Sequence, residues 1–447
     1  MALGVQTFLQ IKRTEAWPVL LAGLFFFCIL AALMVVRPAR EALGLQHGIE
    51  TVRWLFLGTL LLTLLVNPIF GALVGRFRRR VFVSATYLFF AAGLLVFYGL
   101  LVLTPTVLGQ ASGMVFYVWF SVFNLFATML FWAFMVDSFT PEQSERLFGA
   151  IAVGGTVGAL FGPWLAGTLV PHVGTAALLP IAAGFLVAAV GVAHLLGALL
   201  KPRTDQSPSL QDSRSEAQAS ISSSAHVDPF DERLIGGKPW DGFKTMMQSP
   251  YLLGIAGYVL LVAVMATLLY FTRLQMVSSL VDDTDGRALI FARIDFITQA
   301  TTLVLQAFIT GHIMRRLGVA VALVLLPVTV ALGFVGLAIT GTLTALIVLE
   351  AVFRAVQRGI MRPARETLFT VVPRAQRYKA KAFIDTFVYR GGDAVGAQTE
   401  GLLGRLGMGL AGLAAFAVPL AVLWAMLGIW LGWMQNKRKG ENHDDTT

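Results

Sequence analysis

Charge is scarce in this chain. Only 13% of its 447 residues are Asp, Glu, Lys or Arg, about half the ~25% of an average soluble domain. There is one cysteine, Cys28, inside an apolar run, which excludes an intrachain disulfide framework. The histidines are scattered. The sequence has no cluster of metal-ligand spacing, no phosphate-cradling G-x-x-x-x-G-K-[ST] and no Cys or His nucleophile arrangement. These absences argue against an enzyme, and no metal or cofactor is expected. An Arg- and Ser-rich transit sequence is missing too. The first apolar run is too long for a removable signal peptide and is followed by many more.

Hydrocarbon is what the sequence has in abundance. At 57% hydrophobic residues the chain has too little polar surface to coat itself in water, so its solvent is largely lipid. Trp17 to Val36 is uncharged throughout, and at roughly 1.5 Å per residue such a run crosses a ~30 Å hydrocarbon core. Twelve spans are expected, at 17–36, 53–75, 81–104, 112–137, 147–170, 174–200, 251–272, 288–311, 318–340, 343–361, 382–404 and 408–434. Each must be helical, because unpaired backbone groups in lipid are too costly. The fold class is therefore an all-α membrane protein of twelve transmembrane helices.

The net charge of +9 is a topology signal. It lies mostly in short loops, so no nucleic-acid partner is implied. Twenty-four Lys and Arg fall on one set of loop sides, and six (Arg37, Arg40, Arg53, Arg273, Arg287 and Arg405) on the other. The positive-inside bias then puts both termini in the cytoplasm. Residues 201–250 are the one long hydrophilic break, rich in Ser, Gln, Asp and Glu over Ser207 to Ser224. The expected organisation is a six-helix half (1–200), a cytoplasmic linker (201–250) and a second six-helix half (251–447). An echo of Gly71 to Arg76 in Gly311 to Arg316 supports duplicated halves, a common transporter plan.

The loop after the second span resembles the major facilitator superfamily, whose signature there is G-x-x-x-D-R-x-G-R-[KR]. Gly71, Arg76, Arg79 and Arg80 match, while Gly75 stands for the Asp and Arg78 for the second Gly. The fifth span carries Gly149, Gly158, Gly162, Pro163 and Gly167, similar to the superfamily's antiporter signature, with Ala166 in place of one Gly. Gly154, Gly158 and Gly162 also form a smooth face for a neighbouring helix, so ordinary helix packing accounts for them as well. A third resemblance covers most of the chain. Arg37-Pro-Ala-Arg-Glu41, the segment Tyr117 to Asn124, Phe131-Trp132 to Asp137, Glu145 to Gly149, and Arg362-Pro-Ala-Arg-Glu366 through Asp393 look like bacterial relatives of the ATP:ADP antiporter (nucleotide translocase) family. That resemblance implies nucleotide exchange. The characterised exchangers use intramembrane Lys, and no expected span here contains one. The cytoplasmic (inner) membrane of a bacterium follows from the same resemblance, and a monomer from the superfamily.

Polarity singles out particular helices. Spans three, six, nine and twelve contain no Asp, Glu, Lys or Arg, as expected of helices on the lipid side. Charge gathers in the others. The tenth span places Glu350, Arg354, Arg358 and Arg362 at spacing four along one face. An Arg at bilayer depth costs roughly 2.5–3.5 kcal/mol on insertion scales, so such a stripe must face a wet cavity or ion partners. Guanidinium forks suit phosphate and carboxylate, which makes Arg354 and Arg358 leading candidates for an anionic substrate, with Glu350, Arg293 and Arg390 beside them.

Asp385, Asp393, Asp295 and Glu400 are candidates for coupling or gating. A salt-bridge network that only holds this half together fits the near balance of charge equally well. Arg362 reads better as a cytoplasmic anchor than as a ligand. In the first half Arg37 and Arg40 either line a cavity mouth or snorkel to headgroups. Asn67, Tyr117, Asn124 and Trp132 either touch a base or sugar or simply pack. The reading is a secondary transporter, an antiporter of a nucleotide or other anionic phosphorylated metabolite. Proton-coupled efflux of an unrelated molecule is the alternative.

Overall fold

A chain dissolved in lipid hides its peptide groups in helices, and helix is the dominant conformation here. The computed structural model describes residues 12–74, 79–103, 107–200 and 239–444. Six helices form the first half: α1 (Ala16–Leu45), α2 (Gly48–Val74), α3 (Arg79–Leu103), α4 (Val107–Ser138), α5 (Pro141–Val173) and α6 (Leu178–Leu199). A short helix, Pro239–Met247, leads into α7 (Pro250–Leu280). The run Thr284–Thr340 is two helices, α8 and α9, divided at Gly318 by a non-helical φ of 72° that glycine adopts without steric cost. Helices α10 (343–368), α11 (374–405) and α12 (Leu410–Asp444) complete twelve. The side chains of Asn67, Gly71, Arg76, Arg79, Arg80, Gln306, Gly311 and Arg315, and all of 201–238, lie outside the described residues.

Ten of the twelve are long and apolar enough to cross a membrane by length and composition. The other two, α10 and α11, are the ones in which charge gathers, and each is interrupted by a π-helical turn, Gln357–Met361 and Ile384–Val388. In α10 the reason is local. Pro363 has no N–H to offer the carbonyl of Gly359, and the wider turn just before it absorbs the misfit.

Close packing follows the glycines. A Cβ on Gly154 would lie 2.1 Å from the Gly23 carbonyl oxygen, and one on Gly158 would lie 2.4 Å from that of Phe27. Gly162 is crowded in the same way by Met34, so three glycines one turn apart seat α5 on α1. The second half repeats the device. Gly392 and Gly396 of α11 meet Ala263, Leu260, Thr267 and Val264 of α7.

One apolar core lies in the first half and takes in the ends of α7 and α8 through Phe271, Leu274, Phe291 and Ala292; the other lies wholly in the second half. Large apolar side chains stand exposed along the uncharged helices, among them Phe89, Leu195, Leu332 and Ile429. At the foot of α1, Glu15 accepts hydrogen bonds from Arg146 and Gln143, and the Arg146 guanidinium pulls its carboxyl down to about 2.

The halves meet at the helix ends farthest from the chain termini. Gln46 Nε2 donates to Thr284 Oγ1 at 2.7 Å, Arg287 Nη1 to the Leu45 carbonyl at 3.3 Å, and the Thr175 N–H to Asp285 Oδ1 at 2.8 Å. Between α2 and α11, Arg53 pairs with Glu400 at 2.8 Å and Arg405 with Glu50 at 2.7 Å; Gln275 of α7 also donates to Glu400.

The glycine contacts yield a paired prediction. Gly158→Ala forces α5 off a backbone carbonyl and costs about 1–3 kcal/mol, whereas Gly184→Ala on α6, where a Cβ meets nothing within 4 Å, is neutral or slightly stabilising. Thermal unfolding of the two purified variants checks the difference.

Candidate functional site

A charge at bilayer depth needs a partner. Arg273, fully buried on α7, has three. Its guanidinium lies 3.1 Å from Asp295 (α8), 3.2 Å from Glu350 (α10) and 3.6 Å from Glu41 (α1). Arg354 also pairs with Glu350, and with Asp295 at 3.7 Å. From the first half, Arg37 reaches Asp295 at 3.5 Å and Arg40 reaches Glu41 at 2.8 Å. Tyr270 donates to Glu41 and shares a 2.8 Å hydroxyl contact with Tyr117, over whose ring Arg40 lies at 3.6 Å. Four arginines and three carboxylates therefore join α1 to α7, α8 and α10 across the junction of the halves.

Beside this network, between the halves and on the side of the chain termini, lies a cavity of about 690 Å³. Five arginines line it: Arg37 and Arg40 from α1, Arg358 and Arg362 from α10, and Arg390 from α11. Among the described residues the one lining carboxylate is Asp393, which accepts from Thr267 Oγ1 at 3.3 Å and pairs with Arg390 at 3.4 Å. Arg358 donates to Gln299 Oε1 at 3.2 Å, which leaves its positive charge uncompensated. Such a surface attracts anions, and its guanidinium forks match carboxylate and phosphate oxygens. Among the described residues, none of α3, α6, α9 and α12 contributes to the lining, in keeping with the lack of charge in their expected spans.

The sequence-derived candidates divide accordingly. Arg358, Arg390, Asp393, Asn124, Arg37 and Arg40 come together on the cavity wall. Arg354, Glu350 and Asp295 belong to the ion network. Glu400 sits in the outer closure with Arg53. Asp385 is paired with Arg365 at 3.0 Å farther along α10 and α11. Arg293, expected beside Arg354, is instead exposed and absent from the cavity wall, because two residues along α8 turn it roughly 200° away from Asp295. Gly149 is exposed rather than packed like Gly158 and Gly162, while Gly167 approaches Ala292 of α8.

Two further corrections concern depth. Arg273 and Arg53, expected in loops on the charge-poor side, lie inside helices and are buried. The apolar residues Leu274, Met276 and Val277 were the signal that α7 runs past 272. Arg362, expected at the cytoplasmic surface, lines the cavity. Spacing alone does not mark Glu41 and Tyr270 as site residues.

The sequence profile of the Major Facilitator Superfamily matches residues 19–397. The chain belongs to that superfamily. It is a secondary transporter and not an enzyme. No curated protein matches the sequence. Among solved structures, a bacterial homologue of the iron transporter ferroportin in an inward-facing state superposes with a TM-score of 0.62 at 15% identity, over 94% of this chain and 100% of the other. A POT family transporter in complex with a thioalcohol-conjugated peptide gives 0.61 at 13% identity, over 93% and 96%. The nucleoside transporter NupG gives 0.59 at 13%, over 95% and 100%. At such identities the likeness is one of fold alone.

The ion network carries its own prediction. Arg273→Gln leaves Glu41, Asp295 and Glu350 short of their shared cation, and breaking a buried pair in this way costs about 3–5 kcal/mol. The expected result is a large drop in the unfolding midpoint of the purified protein, far beyond that of Arg293→Gln at an exposed position.

Proposed function

We propose that this transporter is an antiporter of an anionic, phosphorylated metabolite, acting as a monomer in a bacterial cytoplasmic membrane with both termini inside. The observation that carries the reading is the cavity wall, where five arginines face a single aspartate. Nucleotides are favoured within the class by the resemblance of the Arg37–Glu41 and Arg362–Glu366 segments to the ATP:ADP antiporter family.

Exchange, as opposed to one-way passage, is supported by the double duty of Arg37. It lines the cavity and also ties α1 to Asp295 of α8. A bound anion competes with Asp295 for that guanidinium and loosens the tie between the halves, whereas the empty carrier keeps it. A carrier that changes conformation only when loaded exchanges one anion for another. Asp393 favours a second reading, proton coupling, because a carboxylate on the wall can carry a proton in place of a second solute.

Uptake of labelled ATP into proteoliposomes preloaded with ADP, or left empty, tests both. The expected result is uptake that depends on internal ADP and falls about ten- to a hundredfold in apparent affinity for Arg358→Gln, the worth of a charge-assisted hydrogen bond. Asp295→Asn should admit anion into empty vesicles. Uptake into empty wild-type vesicles driven by a pH gradient, and lost in Asp393→Asn, would favour proton coupling instead.

A further inference from the structure

The apolar residues of the cavity wall are shared unevenly between the halves. Leu30 and Met34 of α1, Phe56 and Leu60 of α2 and Phe120 of α4 give the first half an apolar wall. The second half contributes Ala266 and the rings of Tyr270 and Tyr389 beside Arg358, Arg362 and Arg390, while α1 adds Arg37 and Arg40, which are held in the ion network. Two hydroxyls of the first wall are engaged within it. Ser121 donates to the Tyr117 carbonyl and receives Arg40, and Thr128 donates to the Asn124 carbonyl.

We propose that the transported anion is amphiphilic: an alkyl or aryl moiety lies against α1, α2 and α4, and its anionic group lies against Arg358, Arg362 and Arg390. The inference rests on the anion reading of the same cavity and narrows it. An inorganic anion satisfies the cationic wall and leaves Leu30, Met34, Phe56 and Leu60 against water, whereas a hydrocarbon group removes that surface from water. A volume of about 690 Å³ suits an organic solute, within the ~300–1,000 Å³ of small-molecule sites. Alternating access also needs a ligand that touches both halves at once, and a two-part molecule does so with complementary chemistry on each side.

Calorimetric titration of the full chain in lipid nanodiscs, with empty nanodiscs in parallel, tests this with inorganic phosphate, phenyl phosphate, naphthyl phosphate, neutral naphthol and adenosine monophosphate. Naphthyl phosphate is expected to bind about tenfold or more tightly than inorganic phosphate, with phenyl phosphate between, as buried apolar area predicts. Met34→Gln and Leu60→Asn should each bring that ratio down to about threefold, and Arg358→Gln should weaken naphthyl phosphate. A ratio near one overturns the inference while leaving the anion reading intact. Adenosine monophosphate, whose base supplies an aryl moiety, is expected to bind more tightly than inorganic phosphate as well. Naphthol binding as tightly as its phosphate overturns the two-part ligand. If no phosphate compound binds to protein that unfolds at the normal temperature, the anion reading falls with it.

Discussion

The architecture depends on one buried guanidinium. Arg273 has no access to water, and its three carboxylate partners come from α1, α8 and α10. An uncompensated charge at that depth costs several kcal/mol, so the four helices are held where those oxygens can reach. The position of α1 is set a second time by glycine: Gly154, Gly158 and Gly162 let α5 close on it without a side chain between. Since α1 carries both Glu41 of the network and Arg37 of the cavity, its placement fixes the geometry of the site.

Two populations of arginine follow from this frame. Arg273 and Arg354 are matched by Glu41, Asp295 and Glu350, and their charge is spent on joining helices. Arg358, Arg362 and Arg390 face the cavity against Asp393 alone. The sequence shows Arg293, Arg354, Arg358 and Arg390 against Glu350, Asp295, Asp385, Asp393 and Glu400 as one nearly balanced set, and the balance makes a structural network as reasonable as a substrate clamp. Folding separates them: balanced charge goes to the junction of the halves and excess charge to the cavity. Arg37 and Arg40 stand between, touching both.

Much of the fold was legible because lipid leaves the chain few choices. Twelve helices, their approximate bounds and the four whose spans carry no charge follow from apolar runs and from the cost of burying charge. The positions of Arg273 and Arg53 were harder to see, since an arginine at the end of an apolar run looks the same whether it snorkels outward or turns inward to a carboxylate. Only the partner decides, and Glu41 is 232 residues from Arg273 in sequence. Arg293 misleads for a related reason: with the face of α8 unknown, a charge two residues from Asp295 reads as its neighbour, when it points to the opposite side.

The repeated segment Arg-Pro-Ala-Arg-Glu shows how one sequence takes on two conditions. In α1 it lies where the halves touch, and its contacts cross between them: Arg37 to Asp295, and Glu41 to Tyr270 and Arg273. In α10 it lies toward the opposite membrane face. There Arg365 pairs with Asp385 and Glu366 with Lys381, all in the same half, while Arg362 stands open to the cavity. Both prolines free a carbonyl one turn earlier, so both helices can yield near the same point of the motif. The first arginine of each copy lines the same cavity, one from each half. The local sequence is identical, so the difference in pairing comes from whether the other half is within reach. At the end where the halves touch, carboxylates of the opposing half and of the network hold the motif; at the other end the motif is satisfied by its own half, and its leading arginine faces the cavity.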